Sequence, residues 1–323
     1  VSLCQVKSLA SQLNIGCGAE VEDMLRYFHD IGLVIYFTNT ESLRDIIVVN
    51  PEWILKKMAW FFGGQALKVL NMDEINRYGL EADVETLSEK ALMTHDLLEY
   101  LVNDKHLMPF MLDLLQEALF ISKWTSVQSG QTTYLAPNFL RQNETLVPDR
   151  KSLRLVFSFK ESCLPAGIYH RLVCLSIAYS GVTEESGQPR VSENWSKVWF
   201  GNDKYVYFEH NILEPEIIAY VSMDHAKTLS VIVTMMKKIT QHSMNSKLYF
   251  DLLLEEPVTD NLELEFGKRE SSFIPLENAR KTKTKPWFND DIWESSILDR
   301  TGSLLELNFQ SFLSSLAESS HYT

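Results

Sequence analysis

The sequence predicts a multidomain α+β protein, and three observations support that class. Residues 1–150 contain a repeated order of helix, strand, loop and strand. After residue 150 the apolar residues alternate as they do in half-buried strands, with two amphipathic helices between them. From about Pro257 the chain becomes more polar. We therefore expect domains at 1–150 and 151–256, followed by a polar extension over 257–323 that is partly docked on the body and ends in a terminal helix or in the start of a neighbouring domain.

The repeat consists of two stretches that open with Met-Leu, at Met24 and Met111. In each, a helical spacing of apolar residues is followed by an aromatic-rich strand, a polar loop and a second strand. Each second strand ends at a proline, Pro51 or Pro137, which suits the first turn of a new helix because its missing N–H has no partner there. The predicted segments are helices Lys7–Leu13, Ala19–Ile31, Glu89–Val102 and Met108–Ala118, strands Leu33–Phe37, Ile46–Val49, Phe120–Trp124 and Thr132–Leu135, and loops Thr38–Arg44 and Thr125–Gln131.

Helices followed by a two-stranded hairpin are typical of a winged helix, so the first domain is predicted to hold two winged-helix-like units. Winged helices often bind DNA, and the charge argues against that here. The chain carries a formal net charge of −13, and the helix that would enter a groove, Ala19–Ile31, has four carboxylates and one arginine. Carboxylates repel phosphates, so we expect a protein partner and no nucleic acid.

The stretch "DIIVVNPEWILKKMAWFF" over residues 45–62 combines a β-branched run with a crowd of aromatic residues. Its counterpart "TTYLAPNFL" in the second repeat favours a wing strand that turns through proline into a helix. In this interpretation the aromatic residues pack between subdomains, and we call this group of residues the predicted seam. Its members are Pro51, Trp53, Met58, Trp60, Phe61, Phe62 and Pro137. If Trp53 is fully buried there, its replacement by alanine would cost about 3–5 kcal/mol.

The second half predicts the order β-α-β-β-β-α-β. Leu153–Phe159 alternates as a strand, "LPAGIYHRLVCLSIAY" is an amphipathic helix, and Gly201, Asn202 and Asp203 suit the turn of a hairpin. Two further strands enclose the helix Ala226–Ser243. Such an order gives a mainly antiparallel sheet with helices packed on one face.

We find no sequence motif for catalysis. The chain lacks the phosphate-binding loop GxxxxGK[ST], the zinc motif HExxH and the serine elbow GxSxG. Four cysteines occur without a CxxC spacing, which favours free thiols. No 18-residue apolar run predicts a membrane span. We therefore predict no catalytic, metal-binding or cofactor-binding residue in this chain.

Positions on two elements of the second half are candidates for an interaction surface. Tyr169, His170 and Arg171 follow the Leu164-Pro165 step, and the hairpin tip would project Gly201, Asn202, Asp203 and Lys204. For the first group, a core aromatic with two solvated polar groups is an equally good interpretation.

Three stretches together suggest a family. They are "YFHDIGLVIYF" with "DIIVVNPEWILKKM" inside Tyr27–Met58, "MLDLLQEALFISKW" with "TYLAPNFL" inside Met111–Leu140, and "LPAGIYHRLVCLSI" over Leu164–Ile177. In order and spacing they resemble the COR domain of Roco proteins, over roughly residues 1–256. The resemblance implies a COR-A-like subdomain at 1–150 and a COR-B-like subdomain at 151–256.

The same resemblance implies a non-catalytic regulatory module of a cytoplasmic signalling protein. It implies that a Ras-like Roc GTPase, with GTP or GDP and Mg²⁺, lies before Val1 and packs against the first subdomain. It also implies that the second subdomain forms a homodimer and relays the nucleotide state. Two alternatives stay open: the winged-helix and sensor segment of a NACHT or death-domain type signalling NTPase, and an enzyme with an unrecognised site.

Overall fold

The computed structural model describes most of the first half of the chain and the regular elements of the second. The described residues are 1–16, 18–62, 70–124, 132–142, 152–160, 164, 167–180, 188–200, 205–211, 213–222, 226–242, 250–255 and 273–275. The chain divides into two compact units. The first unit comprises Val1–Ile121 and Gln131–Phe139, and the second comprises Ser122–Gly130 and Leu140–Thr323.

The first unit is mainly helical. Its helices are α1 (Leu3–Gln12), α2 (Gly18–Asp30), α3 (Glu41–Arg44), α4 (Pro51–Phe62), α5 (Met72–Tyr78), α6 (Glu81–Lys90), α7 (His95–Val102) and α8 (Met108–Glu117), followed by a 3-10 turn at Pro137–Phe139. Several of these helices begin at a residue whose side chain caps the first turn. Ser2 and Gln5 form a capping box at α1, and the Thr94 hydroxyl accepts a hydrogen bond from the Leu97 N–H at α7.

The two strands predicted in the first repeat are wrong. Leu33–Phe37 and Ile46–Val49 contribute only isolated bridges, Ile35 with Val48 and Ser2 with Ile46. The segment also bonds to the start of the chain, where Ile47 donates its N–H to the Val1 carbonyl at 2.8 Å. The predicted loop Thr38–Arg44 contains α3, which begins because the Thr40 hydroxyl accepts from the Leu43 N–H.

The second repeat keeps its strands in shortened form. They are β1 (Leu92–Thr94), β2 (Ser122–Trp124) and β3 (Thr133–Leu135), in the sheet order β1-β3-β2. The helix predicted over Glu89–Val102 is split by β1, because Ala91 adopts a left-handed backbone (φ 55°) that ends α6. Pro137 opens a helix as predicted, in the form of the short 3-10 turn Pro137–Phe139. The winged-helix description of either repeat stays a prediction.

Two apolar clusters hold the first unit together. The smaller one joins α1 and α2 through Leu3, Ala10, Val21, Leu25, Tyr36 and Ile47. The larger one is rich in leucine and methionine and draws on α3 to α8. Its fully buried members include Ile75, Leu87, Met93, Leu97, Leu98, Phe110 and Leu115.

The second unit is built on a seven-stranded sheet. Its strands are β4 (Ser152–Ser158), β5 (Arg190–Val191), β6 (Trp195–Trp199), β7 (Tyr205–Asn211), β8 (Glu216–Ser222), β9 (Asp251–Glu255) and β10 (Phe273–Pro275), and its helices are α9 (Ile168–Ser180) and α10 (Ala226–His242). The sheet order is β10-β9-β4-β8-β7-β6-β5, and each neighbouring pair is antiparallel. The α+β class is thereby confirmed.

The predicted order β-α-β-β-β-α-β is found, with β5 and β10 as additions at the two edges. In β4, Leu153, Leu155 and Phe157 are buried on the same side. Helices α9 and α10 contact each other and the strands β6 and β8, which puts both helices on one face. Apart from β10, the extension from residue 257 lies outside the described residues.

Candidate functional site

A groove on the first unit is a concave surface formed entirely by described residues. Its volume is about 1350 Å³, and it is bordered by α4, α5, α7 and the turn after α7. Its apolar floor consists of Leu70, Leu80, Leu101, Val102, Leu107 and Met111, and its aromatic side chains are Trp53, Tyr78 and Tyr100. It combines a broad apolar lining with polar groups at its edges, as binding sites do.

Local backbone signals position the aromatic side chains. Helix α5 starts at Asn71, whose side chain accepts from the Asp73 N–H, and ends at Gly79 in the left-handed region (φ 68°). Glycine adopts this conformation without strain, so the helix stops directly after Tyr78 and leaves it 69% exposed. Helix α7 ends in the same way at Asn103 (φ 53°).

Tyr100 on α7 fixes the contact with α5. Its ring centroid lies 5.4 Å from that of Tyr78, and its hydroxyl donates to the Glu74 carboxylate at 3.1 Å. Partial burial, followed by the bond to Glu74, raises the pKa of Tyr100 above its ordinary value. Tyr100 therefore stays a neutral hydrogen-bond donor at physiological pH, and Tyr78 is left as the exposed aromatic edge of the groove.

Charges around the groove are segregated by element. Helices α4 and α5 contribute three basic residues and one acid, Lys56, Lys57, Arg77 and Glu74. Helix α7 and its following turn contribute three acids and one base, Asp96, Glu99, Asp104 and Lys105. Some of these charges have partners: Lys105 pairs with Glu99 at 3.2 Å, and Lys56 pairs with Glu52 at 2.8 Å. One border of the groove is thus net basic and the other net acidic.

A second charged group in the first unit ties α1, α2 and α3 together. The buried Glu22 accepts from Lys7 at 2.6 Å and from Arg44 at 2.7 Å, and the Tyr36 hydroxyl lies 3.5 Å away. The hydrogen bonds from Lys7 and then from Arg44 lower the pKa of Glu22 to about 2. Because both carboxylate oxygens are occupied by partners that join helices, we assign this group to structure and not to chemistry.

The predicted contact residues on α9 lie in different environments. Tyr169 is only 2% exposed and stacks on His210 with ring centroids 5.3 Å apart, so it is a core aromatic. His170 and Arg171 are half-buried, and an interface role for them stays a prediction. The other predicted contacts, Gly201, Asn202, Asp203 and Lys204, lie outside the described residues.

Burial shifts the protonation of these side chains. It lowers the pKa of His170 to about 4, with a further contribution from the nearby His210. Burial also lowers the pKa of His210, against the opposing effect of Glu193, and it raises the pKa of Tyr169 well above its usual range. Both imidazoles are therefore neutral at physiological pH, a feature of the second unit that the sequence did not indicate.

Only some side chains of the predicted seam lie among the described residues. Trp53 is 37% exposed and lines the groove, so the condition of full burial is not met. Met58 is half-buried against the larger cluster of the first unit, and Pro137 is buried. The side chains of Trp60, Phe61 and Phe62 lie outside the description, and packing between subdomains stays a prediction.

The described ranges contain neither a metal-binding cluster nor a membrane-spanning helix. His, Cys, Asp and Glu side chains there form no group of three or more that would hold a metal ion. Among the same residues no helix is both long and apolar enough to cross a membrane. Cys174 is buried with its thiol pKa raised by burial, and Cys4 is an exposed free thiol.

Comparison with known families gives the first part of the chain a class. Residues 1–140 match the model of the family described as "C-terminal of Roc, COR-A domain". This part of the chain is therefore similar to COR-A domains, which are non-catalytic domains of Roco proteins found next to a Roc GTPase domain. The resemblance inferred from the sequence is confirmed for the residues matched. No curated protein matches the chain.

Proposed function

We propose that this chain is a dimerisation and regulatory module of a cytoplasmic Roco protein. In this proposal the first unit packs against an adjacent Ras-like Roc domain, which binds GTP or GDP with Mg²⁺. The second unit forms the homodimer and relays the nucleotide state. The observation that carries the proposal is the COR-A match over residues 1–140, in a chain that continues into an antiparallel α+β unit. The match also favours a Roco protein over a NACHT-type NTPase.

Exposed apolar residues on α2 support packing of the first unit against a GTPase domain. Met24, Tyr27 and Ile31 follow a helical spacing on one side of α2 and beyond its end, and all three are exposed. An adjacent side of the helix is anchored by the buried Val21 and Leu25. A contiguous apolar stripe that the unit itself leaves uncovered is characteristic of a protein interface.

A cation–aromatic group on the sheet supports dimerisation through the second unit. The Lys197 ammonium lies 3.8 Å from the centroid of the Tyr205 ring and 5.0 Å from that of Trp199. All three side chains are half-buried, and Trp199 and Tyr205 flank the predicted contact residues at 201–204. Aromatic residues are enriched in the buried cores of protein interfaces.

Self-association of the 323-residue chain tests the dimer. Sedimentation velocity over a wide range of concentration should show a monomer–dimer equilibrium. Replacing both Trp199 and Tyr205 with alanine should shift it towards monomer, because these rings supply the interface area. Tyr27→Ala in the first unit is the matched control and should leave the equilibrium unchanged. A strictly monomeric wild-type chain at the highest concentration would refute dimerisation.

The coupling to nucleotide requires a separate experiment on the Roco polypeptide that contains this chain. Tyr27→Asp places a charge in the exposed stripe and should weaken its contact with the GTPase domain. We expect a several-fold change in single-turnover GTP hydrolysis or nucleotide release, because coupling between sites is a difference in contacts between two states. Unchanged kinetics, with a folded variant, would count against this surface.

A further inference from the structure

The groove has the dimensions of a peptide site. Pockets for small molecules occupy roughly 300–1,000 Å³. At about 1350 Å³ the groove is larger, and it is open along the borders formed by α4, α5 and α7. Its lining combines six aliphatic side chains and three aromatic ones with charged groups on the surrounding helices. The chemistry of the lining therefore fits an apolar stripe of a partner polypeptide better than a metabolite.

The lining also favours a helical partner. An extended partner strand needs a free sheet edge to bond to, and the groove is lined by helices and by the turn after α7. A proline-rich partner needs parallel aromatic ridges, whereas the rings of Tyr78 and Tyr100 are tilted by 53°. Helix-in-groove recognition instead uses a wide apolar floor that accepts side chains at i, i+3, i+4 and i+7.

The charges around the groove predict the charge pattern of the partner helix. Among the described residues neither Lys57 nor Arg77 has an ion-pair partner, and both line the α4–α5 border. Asp96 and Asp104 line the border formed by α7 and its turn. A helix that fills the groove brings its flanking residues over these groups. It is complementary when acidic residues flank one edge of its apolar stripe and basic residues flank the other.

We propose that the groove of the first unit binds an amphipathic helix of a partner protein, with acidic side chains along one edge of its apolar stripe and basic side chains along the other. Tyr78 and Trp53 close over the stripe at one side, because both line the groove and are exposed. The inference goes beyond the proposed packing against the Roc domain, which involves the α2 stripe and not this groove.

Designed peptides test the proposal directly. The first probe is a fluorescein-labelled helical peptide of about 15 residues, long enough to form three to four turns. It carries leucines at i, i+4, i+7 and i+11, glutamates along one edge and lysines along the other. The second probe has the same composition with the leucines redistributed around the helix. Further probes have glutamates only, lysines only, or a proline-rich sequence. Fluorescence anisotropy with the 323-residue chain gives each Kd.

We expect saturable binding of the first peptide in the micromolar range, and at least tenfold weaker binding of the redistributed peptide. Tyr78→Ala should raise the Kd about fivefold or more, because it removes an exposed aromatic edge. The double variant Lys57→Glu and Arg77→Glu should raise the Kd for the doubly flanked peptide and lower it for the lysine-only peptide. Controls are Met72→Ala on α5 and Lys90→Glu at the end of α6, both exposed and outside the lining.

Any of the following results would overturn the inference. Absence of binding to the doubly flanked peptide at millimolar concentration would exclude a helical partner. Equal binding of the redistributed peptide, or an unchanged Kd in Tyr78→Ala, would place the contact outside the groove. Tighter binding of the proline-rich peptide would identify a different class of partner. Failure here would leave the dimer and GTPase experiments unaffected, because their variants lie on α2 and on the sheet.

Discussion

The two units differ in where they place their titratable side chains. In the first unit the strongly perturbed group is Glu22, a carboxylate held ionised by Lys7 and Arg44. In the second unit the perturbed groups include His170 and His210, imidazoles kept neutral by burial. Helices of the first unit leave room for ion pairs between their surfaces, whereas residues beside α9 are enclosed by a broad sheet. The difference predicts different responses to mutation and to acid.

The largest expected effect concerns the sheet of the second unit. Phe157→Ala in β4 removes a fully buried ring that contacts Phe250 edge-on at 5.4 Å between centroids. We expect a loss of about 3–5 kcal/mol in unfolding free energy, from lost burial and the cavity left behind. Urea denaturation, with hydrogen exchange of β4 and α9 as a local readout, measures the change. A loss below about 1 kcal/mol would mean that the sheet repacks around the missing ring.

Acid should destabilise the second unit first. The folded pKa of His170 is about 4 against an ordinary value of 6.5. Between these values the unfolded chain binds the proton and the folded chain does not, so stability is complete above pH 6.5 and decreases towards pH 4. A fall from pH 7 to pH 5 should cost roughly 2 kcal/mol, with His210 acting in the same direction.

Hydrogen exchange of α9 between pH 7 and pH 5, corrected for the intrinsic rate of exchange, measures this loss. His170→Gln should flatten the dependence, because glutamine does not titrate in this range. His106→Gln, an exposed histidine of the first unit, is the control and should leave the exchange of α9 unchanged. If the pH dependence of α9 exchange in His170→Gln is as large as in the wild type, groups other than His170 cause it.

Replacing Glu22 should lower the unfolding free energy by a smaller amount. Glu22 is a carboxylate held ionised by cations, whereas His170 is an imidazole kept neutral by burial. Glu22→Gln leaves Lys7 and Arg44 without their carboxylate, but both are partly exposed and regain water. We expect a loss of roughly 1–2 kcal/mol at pH 7. Because the pKa of Glu22 is lowered to about 2, its contribution is present above pH 4.5 and is lost as the pH falls towards 2.

The exposed pair of Asp23 and Arg26 on the same helix supplies the control for Glu22. Their charged atoms are 3.0 Å apart, against 2.6 and 2.7 Å in the Glu22 group, and both side chains are mostly exposed. Asp23→Asn should therefore change the unfolding free energy much less, since water screens the pair. Equal losses in urea denaturation of the two variants would show that burial of Glu22 adds nothing to its ion pairs.

The contrast between the units also shows what could be predicted from sequence. The strands and helices of the second unit were predicted in order because alternation and helical spacing are local patterns, as in Leu153–Phe159 and Ala226–Ser243. The strands of the first repeat failed because the two segments pair only at the single bridge Ile35–Val48, and local spacing does not show how far a pairing extends. Edge strands β5 and β10 were missed because two or three residues carry no periodicity.

Candidate sites were harder to predict than elements. The groove depends on α4, α5 and α7 meeting in space, and one local signal for it was the crowd of aromatic residues around Trp53. Tyr78 had a visible signal as well, an aromatic residue before a helix-ending glycine. The pair of His170 and His210 had none, since the two residues are forty positions apart and meet only across the sheet and α9.

Comparison of Trp53→Ala with a variant of its buried neighbour decides whether Trp53 belongs to the predicted seam or to the groove. At 37% exposed it should lose only about 1–2 kcal/mol on replacement by alanine, whereas a fully buried tryptophan loses about 3–5 kcal/mol. Its neighbour Ile54 is 2% exposed in the same helix, so Ile54→Ala should cost about 2–5 kcal/mol and serves as the matched control. Urea denaturation of both variants measures the difference. If Trp53→Ala loses as much as Ile54→Ala, Trp53 is buried in solution and belongs to the predicted seam. A small loss leaves Trp53 available for the helix that we propose in the groove.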